Sequence, residues 1–226
     1  LGGALVTGRI SSMFRAREFR LQRDLDNHAK FLHVPRKKIL IAGSSGLIGT
    51  QLVAFLDTGD HEVWRLVRRE SDPNKNEITW NPSKGEIDSK ELEGFDVVIH
   101  LGGVGIGDKR WSKKRKAAIR DSRVNSSQLL SKTLANLDNK PDLFMLASAI
   151  GFYGNRGDEE LDESSSRGKQ GYFLTDVCSE WENSADPAKE VGIRTISLRT
   201  GIVISAVGGA LGKMLLPAKM GAGGPI

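Results

Sequence analysis

The stretch Gly43-Ser44-Ser45-Gly46-Leu47-Ile48-Gly49 constrains this chain more than any other, because of what flanks it. Before it runs Ile39-Leu40-Ile41-Ala42, short and continuously apolar, the pattern of a strand buried on both faces. After it, Leu47, Ile48, Leu52, Phe55 and Leu56 recur at the spacing of one helix face over about 47–58. A strand, a tight turn and a helix in that order need glycine for three separate reasons. Gly43 allows the turn, Gly46 lets the backbone approach a diphosphate, and Gly49 lets helix pack close to strand. The helix start, with Ser45, Leu47 and Ile48, then offers unpaired N–H groups and a positive dipole end to an anion. No Gly-Lys-Ser/Thr follows, so the loop is not a P-loop.

The rest of the chain keeps the same alternation. Thr58-Gly59-Asp60 ends the helix, and a second strand follows over 62–67. Ile78-Thr79-Trp80 reads as a third strand and Val97-Val98-Ile99-His100-Leu101 as a fourth. A long helix over about 112–137, a strand at 143–148, a helix at 173–187 and a strand at 194–199 complete the pattern. Strands that alternate with helices pair in parallel through right-handed crossovers. The expected fold is therefore α/β, a doubly wound parallel sheet occupying 38–226. Residues 1–37 are read separately. Over 9–33 they are polar and Arg-rich, with Ile10, Phe14, Leu21, Leu25, Ala29 and Leu32 near helical spacing, and Pro35 breaks the pattern. This basic helical arm is either a surface helix leading into the domain or a connector that packs on an upstream domain.

Charge follows the same division. The formal net charge is +5, but residues 1–38 alone carry nine Lys/Arg against three acids, which leaves the remainder at −1. The main domain is thus neutral, aromatics are not interleaved with a basic face, and a nucleic-acid partner is not expected. No apolar run reaches the length of a membrane span, so none is expected either. The single cysteine, Cys178, excludes an internal disulfide framework and suits a reducing compartment, with the cytoplasm as the default. The chain begins without methionine and stops at Gly223-Gly224-Pro225-Ile226, which reads as a piece of a longer polypeptide. No metal site is expected.

The end of the second strand bears on which dinucleotide such a loop would take. An Asp or Glu there accepts hydrogen bonds from a ribose 2′-hydroxyl, the NAD arrangement. This strand instead ends Leu66-Val67-Arg68-Arg69, and guanidinium groups suit a 2′-phosphate. NADP(H) is expected over NAD(H), although Glu70 lies just beyond and these arginines also fit a plain surface role.

The spacing Gly43, Gly46, Gly49 has the G-x-x-G-x-x-G form, and the fourth strand runs into His100-Leu101-Gly102-Gly103. With Trp80-Asn81-Pro82, Arg110-Trp111, Ser122-Arg123-Val124, Gly151-Phe152-Tyr153-Gly154, Arg199-Thr200-Gly201, Gly208-Gly209-Ala210-Leu211, Leu215-Leu216-Pro217 and Gly223-Gly224-Pro225-Ile226, the chain resembles an atypical branch of the extended short-chain dehydrogenase/reductases. These are the NAD(P)-dependent epimerase-like proteins, some labelled sugar-nucleotide epimerases or cell-division inhibitors. The resemblance covers about 38–226. It implies a Rossmann domain whose cofactor is lined by Gly43, Ser45, Gly46, Leu47, Ile48, Gly49, Arg68, Arg69, Leu101, Gly102, Gly103, Arg123 and Ser148. It also implies a small-molecule substrate and a C-terminal substrate lobe absent from this chain. Residues 1–35 resemble the connector in members that carry an upstream polyketide-cyclase-like domain.

The resemblance also exposes a departure. Ordinary members use a Tyr-x-x-x-Lys pair on the helix after the fifth strand, and a Ser at that strand's end; the lysine ammonium lowers the tyrosine pKa. Here Phe173 or Leu174 stands at the tyrosine place and Val177 or Cys178 at the lysine place. A shifted alignment offers Tyr172, but Asp176 is four residues on. Counting back from Tyr153 lands on Ala149, one step from Ser148. Ser148, Tyr153 and Tyr172 are therefore weak catalytic candidates. Arg123 replaces a helical Asn and is either a phosphate clamp or a solvated helix charge. The basic run Lys109, Arg110, Lys113, Lys114, Arg115, Lys116 and Arg120 fits a solvated face better than an anion site. Cys178 reads as a helix-face residue and His100 as packing beside the crevice. Asp158, Glu159, Glu160, Asp162 and Glu163 read as a solvent-facing loop. Two functions stay open: an NADP(H)-binding epimerase- or reductase-like enzyme on an unknown, nucleotide-linked substrate, and a non-catalytic NADP(H)-sensing regulatory module.

Overall fold

The computed structural model describes residues 2–205 and 208–221. The glycine-turned junction anticipated from sequence is its organising feature. Strand β1, Lys38–Ala42, enters the turn, and helix α2, Leu47–Thr58, leaves it. The remaining strands are β2 Glu62–Val67, β3 Glu77–Asn81, β4 Glu86–Ile87, β5 Val97–His100, β6 Leu143–Ala149, β7 Arg194–Thr200 and the short β8 Ile204–Ser205. Helices α3 Lys113–Ala135, α4 Phe173–Asn183 and α5 Asp186–Glu190 lie between the later strands, and α6, Gly209–Lys219, follows β8. The sheet has seven strands in the order β4-β3-β2-β1-β5-β6-β7. All pairs are parallel except β3 with β4.

The continuous apolar run in β1 is buried on both sides, and its alternation sorts the core into two layers. Leu40 and Ala42 join Leu130 and Leu134 of α3, Phe144 and Leu146 of β6, and Trp181 of α4. Ile39 and Ile41 face the other way, onto Val53 of α2 with Leu52 and Leu56. Small hydroxyl side chains let the first layer close up: Trp181 Nε1 donates to Ser127 Oγ at 3.0 Å, and the Ala188 N–H donates to Ser131 Oγ at 3.0 Å.

Several elements differ from the sequence expectation, among them β8 and α6, where no strand or helix was expected. The helix expected over 173–187 is broken after Asn183, and Pro187 sits in the first turn of α5, where its missing N–H costs nothing. The antiparallel strand β4 was not foreseen, since two residues carry no periodic signal. The N-terminal arm forms one helix, α1, Gly2–Lys30. Ile10, Phe14, Leu21 and Leu25 remain exposed on it, and it reaches the domain near its end, where His28 stacks on Phe55 of α2 at 4.3 Å. Among the described residues no helix is long and apolar enough to cross a membrane.

Candidate functional site

Strand β1 continues through α2 to β2 on one side, while β5 continues through α3 to β6 on the other. The crevice beyond the ends of β1 and β5 is thus the point where the winding reverses, the place where open α/β sheets bind ligands. The three glycines of the turn behave differently there. Gly43 has φ of +85°, and a Cβ on it would lie 2.8 Å from both Leu101 C and Gly102 N, so the turn abuts the exit of β5. A Cβ on Gly49 would come within 2.2 Å of the Gly43 carbonyl oxygen. Gly46 is the exception: its Cβ position meets only the Gly43 oxygen, at 3.3 Å. It is the N-cap of α2, with no side chain capping the first turn. Gly43 and Gly49 serve the protein's own packing, and Gly46 stands open at the helix N-terminus beside the exposed Ser45. Leu47 lies beneath the turn into α6, where Cβ atoms on Gly208 and Gly209 would sit 3.7 and 3.2 Å from its methyl groups. The close approach, with a φ of +76°, accounts for glycine at 209, while at 208 the contact is an ordinary one. The Gly223-Gly224-Pro225-Ile226 segment lies outside the described residues.

The two arginines after β2 part company. Arg69 is held by both carboxylate oxygens of Glu77, at 2.8 and 2.7 Å, and this pair ties the exit of β2 to β3. The guanidinium, helped by the Asp72 N–H, holds the Glu77 carboxyl below its ordinary pKa. Arg68 is exposed and has no side-chain partner among the described residues, which leaves it the free positive charge at the end of β2.

Ser148 and Tyr153 are brought together, but by residues that sequence reasoning passed over. Ser148 Oγ donates to Glu182 Oε1 at 2.6 Å. Glu182 in turn receives Arg199 through Nε and Nη2, both at 2.9 Å. Arg199 Nη1 donates to the Tyr153 hydroxyl at 3.0 Å, and its guanidinium lies 3.5 Å over the Phe152 ring. The Glu182 carboxylate raises the Arg199 pKa, so that charge is permanent. Glu182 had left a trace in the sequence: a carboxylate at the helical spacing of Cys178, Trp181 and Ala185, the apolar face of α4. Tyr172 is apart from this group, exposed at the N-cap of α4. Asp176, four residues on, accepts from the Gly171 N–H and from Arg167. Phe173 meets Trp111 edge-on at 5.3 Å. Burial, and secondarily Glu182, pushes the Cys178 thiol up to about 11, so it is no thiolate at neutral pH.

Most of the basic run is exposed, as expected, although Arg115 donates to the Gly105 carbonyl and Arg120 pairs with Glu180. Arg123 is not the solvated charge that its place on a helix allowed. It is 8% exposed, and its Nη1 donates to the Val104 and Ile119 carbonyls at 3.1 and 3.0 Å. Asp158, Glu159, Glu160, Asp162 and Glu163 are solvent-facing.

His100, at the end of β5, is wholly buried against the edge of Trp80, with neither ring nitrogen hydrogen-bonded. Burial, with a smaller push from Arg123, lowers its pKa from 6.5 to about 4. The unfolded chain therefore takes up a proton between pH 6.5 and 4 that the folded chain refuses. This contribution to stability is whole above pH 6.5 and is lost as pH falls towards 4. It amounts to about 3 kcal/mol. His100→Leu, which also removes two unpaired nitrogens, is expected to flatten the pH dependence of the urea midpoint across that interval. Equal slopes in both proteins would exclude His100 as its source.

The sequence model of the NAD dependent epimerase/dehydratase family matches residues 39–219. The Epimerase family protein MT2273 of Mycobacterium tuberculosis is 42% identical over 191 residues, covering 82% of this chain and 62% of that protein. The human Epimerase family protein SDR39U1 is 32% identical over 191 residues, with 84% and 62% covered. This chain therefore spans less than two thirds of the length of these curated relatives. Among solved structures, a nucleoside-diphosphate sugar epimerase from Corynebacterium glutamicum superposes with a TM-score of 0.78 at 37% identity, over 93% of this chain and 44% of that one. The human SDR39U1 (isoform2) structure with NADPH gives 0.69 at 29% identity, over 83% and 61%. Fold, crevice and sequence agree, and the chain belongs to the NAD dependent epimerase/dehydratase family.

Proposed function

We propose that the crevice between β1 and β5 binds NADP(H) in preference to NAD(H), and that the protein is an epimerase- or reductase-like enzyme for a small, nucleotide-linked substrate. The observation that carries this reading is the cradle at Gly46, where the protein leaves open the one position that a side chain would fill at a helix N-terminus. A diphosphate there would meet the first N–H groups of α2 and their dipole. The human relative's structure with NADPH supports the same family of ligands. A bound nicotinamide would supply hydride exchange; the chain's residues hold and orient it. Leu101, Gly102 and Gly103 would line it from β5, and Arg68 would meet the 2′-phosphate. Arg69 and Ser148, also expected to line the cofactor, are held by Glu77 and Glu182, and Arg123 is bonded through Nη1 alone, to two backbone carbonyls.

Arg68→Asp is expected to weaken NADPH binding by roughly 1.5–3 kcal/mol, one charge-assisted pair, while sparing NADH. Titrating both cofactors into both proteins measures it. Unchanged preference in the variant would remove Arg68 from the argument.

A second reading has a specific observation behind it. The residues at the lysine place of the usual proton relay, Val177 or Cys178, are both buried, and Asp176 is taken up by Arg167 and the Gly171 N–H. A module that senses NADP(H) without turnover needs the cradle and not the relay. Steady-state oxidation of bound NADPH with candidate sugar nucleotides separates the two.

A further inference from the structure

Most arginines that this fold buries or half-buries have a carboxylate. Arg65 has Asp57, Arg115 has Asp108, Arg156 has Glu159 and Arg199 has Glu182. Arg123 has none among the described residues, although it is the most deeply placed of these arginines. Only Nη1 is bonded, to two backbone carbonyls; the guanidinium otherwise lies 5.1 Å over the Trp181 ring. Nε and Nη2 have no hydrogen-bond partner among the described residues. Burying a lone cation is costly unless something compensates it, and two carbonyls and a ring face do so only in part. Nearby groups do not supply the missing charge. His100 is held neutral, and Arg115, whose Nε is buried without a partner, adds to the positive potential.

The position of this unpaired charge is informative. Arg123 reaches from α3 to the exit of β5. A Cβ on Gly103 would lie 3.1 Å from its Cζ and 3.3 Å from both terminal nitrogens. Absence of a side chain at Gly103 thus leaves the guanidinium approachable from the crevice. Strand order also puts it on the β5–β6 half, across β1 from β2 and Arg68. The cofactor's 2′-phosphate belongs to the Arg68 half, so a different anion is needed here.

We propose that Arg123 is the receptor for an oxyanion, a carboxylate or a phosphate, carried by the substrate and entering over Gly103. This rests on the substrate half of the crevice proposed above and adds the substrate's charge to it. A guanidinium fork with free donors in a dry setting binds such groups through charge-assisted pairs, and neutral sugars gain nothing from it.

The test uses inorganic phosphate and acetate as probes, titrated at constant ionic strength into the whole protein with and without saturating NADP⁺. Tryptophan fluorescence is the readout, because Trp181 lies under the guanidinium. Saturable binding of at least one probe to the loaded protein is expected. Arg123→Met should weaken it on the order of tenfold or more. Arg123→Lys keeps the charge without the fork; an intermediate loss is expected, and this variant decides if the methionine one does not fold. NADPH affinity should stay within about twofold of wild type in either Arg123 variant. Absence of saturable binding, or equal binding after substitution, would overturn the proposal. So would a tenfold loss of NADPH affinity, which would give the guanidinium to the cofactor. Arg123-dependent phosphate binding in a protein that takes no NADPH would leave this inference standing and sink the cofactor reading instead.

Discussion

Gly46→Val is expected to abolish NADPH binding while the circular-dichroism spectrum and the urea midpoint stay near wild type. The reason is a division of labour within one turn. Gly43 and Gly49 are fixed by the protein itself: their Cβ positions fall 2.8 Å from the Gly102 nitrogen and 2.2 Å from the Gly43 carbonyl oxygen. No backbone tolerates either approach without shifting. The Gly46 Cβ position meets a single atom at 3.3 Å, and its φ of −76° is open to any residue. Glycine at 46 matters less to the fold than at 43 or 49, since only the Gly43 oxygen has to give by a few tenths of an ångström, and its absent side chain serves whatever approaches the start of α2. Gly43→Ala and Gly49→Ala should show the opposite behaviour, with stability falling first and binding following it. Undiminished NADPH affinity in Gly46→Val would place the cofactor elsewhere.

The same turn shows how much was legible beforehand. Strand, glycine spacing and amphipathic helix are local patterns, and each was readable because backbone geometry repeats every two or 3.6 residues. What stayed hidden are pairings made by topology. Ser148 meets Glu182 from 34 residues away, and Arg199 meets Tyr153 across 46. Nothing periodic links such positions; only adjacency of β6, α4 and β7 does. Arg69 illustrates the cost. Two adjacent arginines looked equivalent in the sequence, yet one is consumed by Glu77, eight residues on, and the other is free. Arg123 is a subtler case. A cation on a mostly polar helix gave no sign of burial, because the cover comes from Trp181, on a helix placed against α3 by the fold. The departure implied by the resemblance was, by contrast, a local reading: Val177 or Cys178 falls where a lysine was sought, and both are buried.

Ordinary sugar-nucleotide epimerisation is expected to be absent or slower by about 10²–10⁴-fold than in relatives with an intact relay, the usual worth of general acid–base help. Moving a hydride from a sugar carbon requires removing a proton from its hydroxyl in the same step. A phenol titrates ordinarily near about 10 and serves as a base at pH 7 only beside a charge that stabilises phenolate. The chain has two tyrosines. Tyr172 is exposed at the N-cap of α4, next to Phe173 and Leu174, and no ammonium follows it one helical turn on. Tyr153 does have a cation, since Arg199 donates to its oxygen at 3.0 Å. That guanidinium, however, is already held at two points by Glu182, and the phenol is buried with it. Arg199 thus fastens Tyr153 to α4 and β7 as part of a packed network. The measurement is turnover of UDP-sugars by the whole protein with NADP⁺ or NAD⁺ present, alongside Tyr153→Phe and Tyr172→Phe. Both variants should bind cofactor as wild type does. Tyr153→Phe should cost stability of about 1 kcal/mol through the lost hydrogen bond, and Tyr172→Phe almost nothing. Epimerisation at ordinary enzymatic rates that disappears with either change would show a working phenolic base. Arg199 would then take the part that lysine plays elsewhere.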